Sequence, residues 1–404
     1  MASQQPPVPR LHSDVYPFIY PSKFRGSLQG KVALITGSAG AIGQAIAECF
    51  AVAGAKLVLV FNRTQPAAKE HFTGLGAADV LAIQCNVAEL SSCEELVRQV
   101  CMPACVFRGS RRSSREGLLM VMGAFFKALE AFGTVDILVN NAGANGLEPT
   151  IAHSPSQPTY ALFTILLPRL LPCQYMQTVS YAYPPINQYL NAHEQNRCTS
   201  SPPDSFIHDL SVNLHGPYYL MRLLMPGIRA QKSGCVLNIT SRAGVLPNIP
   251  FSTSYHASKA ALINLTGCVQ AEVDVDGLED VHLYALHPGG VRSEMTLNKY
   301  RNAETTLPDH PAVAAKLTQR VDGYNDSPYL NGMTCVALAT GIARQVLRGR
   351  YFDVGQDLED VLASAGEAAI QADPELYTLH TRYLGTVPDS SGAVLDEPFA
   401  FPGF

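Results

Sequence analysis

The chain is short of charge. Only 16% of its 404 residues are Asp, Glu, Lys or Arg, and the formal net charge is −5. With no basic excess to track a phosphate backbone, nucleic acid is excluded as a partner. The chain also lacks an apolar run long enough to cross a bilayer. The most apolar candidate, Ala161 to Leu171, falls well short of the ~20 residues required and is interrupted by Pro168. Its first residues, Met-Ala-Ser-Gln-Gln-Pro-Pro, have neither a basic start nor an apolar stretch, so a secretory leader is not expected and a cytoplasmic protein is. The ten cysteines show no repeating spacing. Cys49, Cys85, Cys235 and Cys268 sit inside apolar patterns and read as reduced core residues. Cys101 and Cys105 are a close pair without a partnering Cys/His pair at zinc-finger spacing, so no metal site is expected.

What the chain does have is an apolar run, Val32-Ala33-Leu34-Ile35, that leads through Thr36 into a glycine-rich turn. Such a run suits a parallel strand covered on both faces. Gly37, Gly40 and Gly43 let the backbone turn tightly and approach a ligand, and a helix beginning near Ala41 aims N–H groups at a pyrophosphate. Ile42, Ile46 and Phe50 then recur every four residues up to Gly54, and Lys56 to Phe61 reads as a second strand. This is a βαβ unit, hence a parallel sheet. An acidic residue at the end of that second strand would bind an adenosine 2′-hydroxyl, but the chain has Asn62-Arg63 there. An arginine free to pair with a 2′-phosphate favours NADP(H) over NAD; the alternative is a solvated loop arginine.

Further strands are expected at Val80 to Val87, Asp136 to Val139, Cys235 to Thr240, Val281 to Leu286 and Tyr351 to Val354, which gives about seven. Ser241 falls at the C-terminal end of the fifth, where open α/β sheets bind ligands. Fourteen residues later comes Tyr255-His256-Ala257-Ser258-Lys259, whose four-residue spacing puts Tyr255 and Lys259 on one helix face. A cation there would lower the phenol from its ordinary ~10 toward working pH, as general acid/base chemistry requires.

With these residues in view, the chain resembles the short-chain dehydrogenase/reductases, and most of all fungal reductases of secondary metabolism. Thr36, Gly37 and Gly43 match the family's Thr-Gly-x-x-x-Gly-x-Gly, with Ala41 at the middle glycine, and Asn140-Asn141-Ala142-Gly143 matches its Asn-Asn-Ala-Gly fully. The resemblance implies a catalytic quartet of Asn213, Ser241, Tyr255 and Lys259. It implies cofactor contacts from Thr36, Gly37, Ser38, Gly40, Ile42, Gly43, Asn62, Arg63, Asn86, Val87, Asn141, Ala142, Gly143, Tyr255 and Lys259. To these it adds Pro288, Gly289, Val291 and Ser293, where Pro-Gly-Gly-Val-Arg-Ser stands for the family's Pro-Gly-x-Val-x-Thr. Asn86 replaces the usual aspartate near the adenine. The implied fold is an α/β Rossmann-type doubly wound parallel sheet. The implied chemistry is hydride transfer between NADP(H) and a carbonyl or carbinol carbon of a small substrate, aromatic or polyketide-like. Asn213 would anchor a water relaying protons from Lys259, and a homo-oligomer, dimer or tetramer, is expected.

The expected organisation is an N-terminal arm over residues 1–25, one Rossmann domain over 26–360 and a tail over 361–404. Two stretches, near 100–124 and 154–203, exceed what βαβ units need; the second contains eight prolines. They are surface insertions or retained intron sequence, and the lack of any period implies poorly packed excursions. Disruption by these inserts leaves a second reading, a cofactor-binding protein without turnover. Leu297 to Gly349 stands where the family places its substrate lid, with Tyr300, Tyr324 and Tyr329 available to cover a ring.

Overall fold

Among the described residues seven parallel strands form one sheet, in the spatial order Asp79–Gln84, Lys56–Phe61, Val32–Thr36, Ile137–Asn140, Gly234–Ile239, Val281–His287 and Tyr351–Asp353. The computed structural model describes residues 8–101, 132–145, 203–246, 252–301 and 311–381. The strands are β1 (Val32–Thr36), β2 (Lys56–Phe61), β3 (Asp79–Gln84), β4 (Ile137–Asn140), β5 (Gly234–Ile239), β6 (Val281–His287) and β7 (Tyr351–Asp353). The helices that position the site are α1 (Ala41–Val52), α2 (Lys69–Leu75), α3 (Leu90–Val100), α4 (Pro203–Leu210), α5 (Gly216–Gln231), α6 (Thr253–Val275), α7 (Glu294–Arg301), α8 (Pro311–Asp322), α9 (Pro328–Ala339), α10 (Leu358–Leu362) and α11 (Ser364–Ala372).

Alternation along each strand explains why both sheet faces are covered. Ala33, Ile35, Leu57 and Leu59 pack against α1 and α9, whereas Val32, Leu34, Val58 and Val60 pack with Leu220 and Leu224 of α5 on the other face. All five residues of β1 are buried, as a central strand of a doubly wound sheet requires. The chain order reverses between β1 and β4, which pair directly, and this opens a crevice at their C-terminal ends. β4 pairs in register with β1 and β5, so Asn140 lies opposite Asn238.

The third strand ends at Gln84, short of the expected Val87. β2 stops at Phe61, whose carbonyl accepts the Cys85 N–H at 2.8 Å, so beyond that point the chain has no neighbour to pair with. Cys268 is a second correction. It is exposed, because the buried stripe of α6 runs through Leu262, Ile263, Thr266, Gln270 and Val273 and leaves it on the opposite side.

The described part of the N-terminal arm is bound to the domain. Tyr16, Ile19 and Phe24 are buried in the α1/α9 core, and backbone bonds from His12 N–H to Gly355 O (2.8 Å) and from Asp357 N–H to Arg10 O (2.8 Å) strap the chain to the β7 end. The tail likewise contributes Val361 and Ile370 to that core through α10 and α11. α3 ends at Val100, which is buried. Cys105, the proposed insert residues 102–124 and 154–202, and the packing expected of Phe163, Ile165, Leu166 and Leu167 lie outside the described residues.

The stretch from 297 to 349 splits into two parts with different duties. α7 and α8 pack on each other at the mouth of the crevice. α9 is scaffold: its Gly332 lies so close to α1 that a Cβ there would sit 2.6 Å from Cys49 Sγ. Tyr329 therefore does not cover the site; its hydroxyl donates to Glu48 Oε2 of α1 at 2.7 Å.

Candidate active site

Two cavities meet above the ends of β1, β4 and β5. The first, a cleft of about 490 Å³, runs along the glycine turn between Gly37 and Gly43 and reaches Tyr255 and Lys259. A side pocket of about 240 Å³ extends it past Asn62 and Arg63 to Asn86 and Val87. The second cavity, about 500 Å³, begins at Ser241 and Tyr255 and is walled by Val291, Met295, Tyr324 and Arg242. Ile42, Thr240, Tyr255, Pro288 and Ser293 line both cavities, so the chemistry sits at their junction.

The glycine turn is held by its neighbours in the sheet. Gly37 has φ +63°, and a Cβ on it would lie 2.9 Å from Ala142 Cα; one on Gly43 would lie 2.1 Å from Gly37 O. Gly40 carries no such constraint, with only an ordinary contact at 3.6 Å, and its extended backbone precedes α1 without a side-chain cap. The Gln44 N–H reaches Gly40 O at 2.8 Å as the first bond within α1, which leaves the Ala41, Ile42 and Gly43 N–H groups of its opening turn without an intrahelical partner beside the cleft. Ala41 is exposed at the rim, which is why a methyl group is tolerated where the family has its middle glycine.

Several of the residues expected to touch cofactor also build the turn. Ser38 is buried and its Oγ donates to Val60 O at 3.0 Å, so its hydroxyl is committed to β2 and does not line the cleft. Thr36 Oγ1 accepts the N–H groups of Asn141 and Ala142, both at 2.9 Å, clamping the two motifs together. The Asn141 amide donates to Thr36 O and Gly37 O. Asn86 holds Glu89 Oε1 through its Nδ2 (2.7 Å), and its Oδ1 accepts only a long bond from Ala88 N–H (3.3 Å), so that oxygen retains capacity toward the side pocket. Arg63 is exposed and has no ionic or hydrogen-bonding partner among the described residues; Asn62 O is fixed by Gln84 Nε2 at 2.7 Å. Past β6, Gly289 adopts φ +87°, and Ser293 caps α7 by exchanging hydrogen bonds with Thr296.

Of the four residues expected to be catalytic, Ser241, Tyr255 and Lys259 line the junction of the cavities, and Asn213 reaches Ser258, next to Lys259. Ser241 leaves β5 in an extended conformation and its Oγ accepts the Ala243 N–H at 3.1 Å, which turns the hydroxyl toward Tyr255, its hydrogen-bond partner. Lys259 lies one turn along α6 from Tyr255, with Nζ 5.8 Å from the phenol ring centroid and donating to Ile239 O at 2.8 Å. Asn213 lies in a π-turn, Ser211–His215, between α4 and α5. Such one-turn widenings re-aim a side chain out of the helical rhythm. Its amide grips Ala144 from both sides, Oδ1 accepting the N–H and Nδ2 donating to the carbonyl, each at 2.8 Å, and Nδ2 also donates to Ser258 Oγ at 3.0 Å. Both amide protons are spent, so a water would have to donate to the remaining Oδ1 lone pair.

The electrostatics differ from the expectation in one respect. Burial pushes the Tyr255 phenol up to about 12, outweighing the lowering effect of the Ser241 hydrogen bond. The same burial pushes the Lys259 ammonium down to about 8, against the upward pull of Asp209. The lysine thus does not bring the phenol toward neutral pH in this structure; the enclosed site keeps Tyr255 protonated.

Some site residues escaped the sequence reading. Asp209 of α4 is buried, accepts from Ser254 Oγ at 2.5 Å and acts electrostatically on both Tyr255 and Lys259. It precedes Asn213 by four residues, one helical turn, which was the signal available. Asp326 accepts the Gly290 N–H at 2.6 Å, and Leu11 and His12 of the arm wall the second cavity; neither follows from any local pattern.

The profile of the short chain dehydrogenase family matches residues 31–102 and 192–304. It passes over β4 and its Asn-Asn-Ala-Gly, which the sheet register nonetheless places between β1 and β5. A short chain dehydrogenase of Pseudocercospora fijiensis is 27% identical over 357 residues, 87% of this chain and 89% of that one. The short chain dehydrogenase pigC of Monascus ruber is 24% identical over 370 residues, 90% of each chain. L-sorbose reductase of Gluconobacter frateurii, solved with NADPH and L-sorbose, matches with a TM-score of 0.52 at 22% identity over 83% of this chain and 99% of that one. Over these residues the chain resembles the short-chain dehydrogenase/reductases, a family of NAD(P)-dependent oxidoreductases, and it is similar to fungal secondary-metabolism members of that family. Among the described residues no helix is long and apolar enough to cross a membrane.

Proposed function

We propose that this protein is an NADP(H)-dependent carbonyl reductase acting on a small, aromatic or polyketide-like substrate. The observation that carries this reading is the placement of Tyr255, hydrogen-bonded to Ser241 and backed by Lys259, at the junction of a cofactor-sized cleft and a separate pocket. The cleft suits a dinucleotide: its glycine turn admits no side chain at Gly37 or Gly43, α1 presents uncapped N–H groups, and its volume falls in the ligand-pocket range. When bound, the nicotinamide supplies the hydride. Tyr255 gives its proton to the carbonyl oxygen, Ser241 hydrogen-bonds the developing oxyanion, and Lys259 offsets the charge left on the phenol oxygen. Asn213 holds the loop after β4 and offers its remaining Oδ1 lone pair to a water that resupplies Lys259. We further propose that the chain works as a homo-oligomer in the cytoplasm.

The test is consumption of NADPH with a panel of aromatic ketones and quinones. Cofactor choice rests on Arg63, which carries unspent donors beside the side pocket, and on the absence of a carboxylate at the end of β2. Wild-type protein should bind NADPH more tightly than NADH, and Arg63→Ala should remove most of that difference, about 1–3 kcal/mol for a charge-assisted contact. Equal dissociation constants in the unmutated protein would sink the assignment.

The buried Tyr255–Lys259 pair also sets a pH dependence. Lys259 is charged below about 8 and neutral above it, whereas Tyr255 stays protonated to about 12. As pH rises, the pair loses its first proton from the lysine. The kcat/KM for ketone reduction should therefore be flat below about 8 and fall above it with a slope of at most one decade per unit. Lys259→Arg, which keeps its charge, should move the break upward. A wild-type profile that rises through this range would contradict the account.

A further inference from the structure

Arg242 directly follows Ser241 on the short turn Arg242–Gly244, so its side chain enters the second cavity one residue from the group assigned to the carbonyl oxygen. Its Nε donates to Asp353 Oδ2 at 2.5 Å. Asp353 is itself fixed, with Oδ1 accepting the Gly355 N–H at 3.1 Å, and Gly355 O in turn accepts the His12 N–H of the N-terminal strap. The carboxylate is 14% exposed and the guanidinium 53%. One edge of the arginine is thus anchored on a partly buried acid, while the terminal Nη groups have no partner among the described residues and the side chain borders the cavity.

The other charged groups of this cavity are already engaged. Asp326 Oδ2 is taken by the Gly290 N–H, and His12 is paired with Asp357 at 2.7 Å. His287 is pushed down to about 4 by burial and is neutral, which agrees with its Nδ1 accepting the Arg242 N–H at 3.3 Å. Arg242 and Arg320 balance Asp353 and Asp326, so the cavity has no strong net field. Recognition there must come from directed hydrogen bonds, and a guanidinium held at Nε presents two parallel Nη donors in the geometry that suits a carboxylate or phenolate oxygen.

Resting on the reductase reading above, we infer that the wall of the second cavity formed by Arg242 binds an anionic oxygen of the substrate, with the Arg242 guanidinium as the group that contacts it. The substrate class is then a carbonyl compound carrying a carboxylate or an acidic phenol, gripped at both ends: the carbonyl at Ser241 and Tyr255, the anion at Arg242. Asp353 is a positioning residue, and the strap through His12 and Gly355 steadies it. The opposing view is that Arg242 is only a strut joining the ends of β5 and β7, which would affect all substrates alike.

The experiment compares matched pairs: a carboxylated acetophenone with its methyl ester, and a hydroxynaphthoquinone with unsubstituted naphthoquinone. Arg242→Ala should raise KM for the anionic member of each pair roughly 10- to 100-fold, change KM for the neutral member less than about threefold, and leave NADPH affinity unchanged. An effect confined to the carboxylate pair or to the phenol pair identifies which oxygen is recognised. Arg242→Lys, which keeps the charge without the fork, should fall between. Equal losses for anionic and neutral members would overturn the subsite and leave the strut. Calorimetric binding of benzoate against benzamide to the NADPH-loaded protein gives a readout that needs no turnover. Arg242-dependent benzoate binding without reduction of any ketone would retain the subsite and overturn the reductase reading, whereas benzoate binding unaffected by Arg242→Ala would overturn the subsite alone.

Discussion

Replacing Tyr255 by Phe should lower kcat for ketone reduction by at least about 10²- to 10⁴-fold, the range over which a positioned general acid acts, while the dissociation constant for NADPH stays within about twofold. The substitution removes one oxygen from a ring whose other contacts persist. Lys259 keeps its bond to Ile239 O, and the glycine turn, held by the Asn141 amide, is untouched. The Ser241 hydroxyl loses its phenol partner but remains oriented by the Ala243 N–H, so some oxyanion stabilisation survives. Stopped-flow measurement of NADPH oxidation, with a parallel titration of cofactor fluorescence, separates the two effects. Full activity in the variant would place the acid elsewhere.

Gly43→Ala should have the opposite profile: cofactor binding lost first, turnover only as a consequence. The added Cβ would lie 2.1 Å from Gly37 O and 2.7 Å from Asn141 Nδ2, and the first of these is backbone that no rotamer change can move aside. Relief requires the glycine turn to shift relative to α1, which carries the N–H groups out of line with the pyrophosphate. Losing one such N–H bond to a charged phosphate oxygen costs about 1.5–3 kcal/mol. NADPH affinity should therefore fall at least tenfold, with a lowered Tm, because overpacking of this kind costs about 1–3 kcal/mol. Gly40→Ala is the matched control: its Cβ meets only an ordinary contact, and it should bind NADPH nearly as well as the wild type. Equal losses in the two variants would show that the clash with the Gly37 carbonyl is not what bars a side chain from the turn.

The parts of this architecture that were legible in the chain are those written locally. Val32 to Ile35 announced β1, Lys56 to Phe61 matched β2, and the Ser241 and Tyr255 spacing located the junction of the cavities, because each depends on residues adjacent in sequence. What could not be read depends on contacts between distant segments. Tyr329 looked available as a lid aromatic, and only the packing of α9 on α1 turns it onto Glu48. The arm's role at the β7 end comes from bonds such as Arg10 to Asp360, some 350 residues apart. Ser38 illustrates the same limit within a motif: its position in the turn suggested a ligand contact, yet the neighbouring strand claims its hydroxyl through Val60 O. The phenol's upward shift was missed because enclosure is a property of the assembled site, whereas the Tyr-x-x-x-Lys spacing speaks only of proximity.

That upward shift bears on direction. A phenol kept protonated is ready to act as an acid, which is what carbonyl reduction asks of Tyr255. Oxidation of an alcohol would need the phenolate, and with Tyr255 held up to about 12 that form is scarce at neutral pH. The reductive step thus draws on the form of Tyr255 that prevails near pH 7, while the equilibrium between ketone and alcohol is set by substrate and cofactor alone.

The measurement that bears most directly on the central claim uses NADPH carrying deuterium at the transferable C4 position. With any ketone or quinone of the panel that is turned over, the account predicts one deuterium at the reduced carbon of the ketone product, or loss of one deuterium from the cofactor per quinone reduced. It also predicts a slower single-turnover rate than with unlabelled NADPH, and neither transfer nor oxidation in Tyr255→Phe. Reduction that leaves the C4 deuterium on the cofactor, or no NADPH oxidation by the wild-type protein across the whole panel, would contradict it.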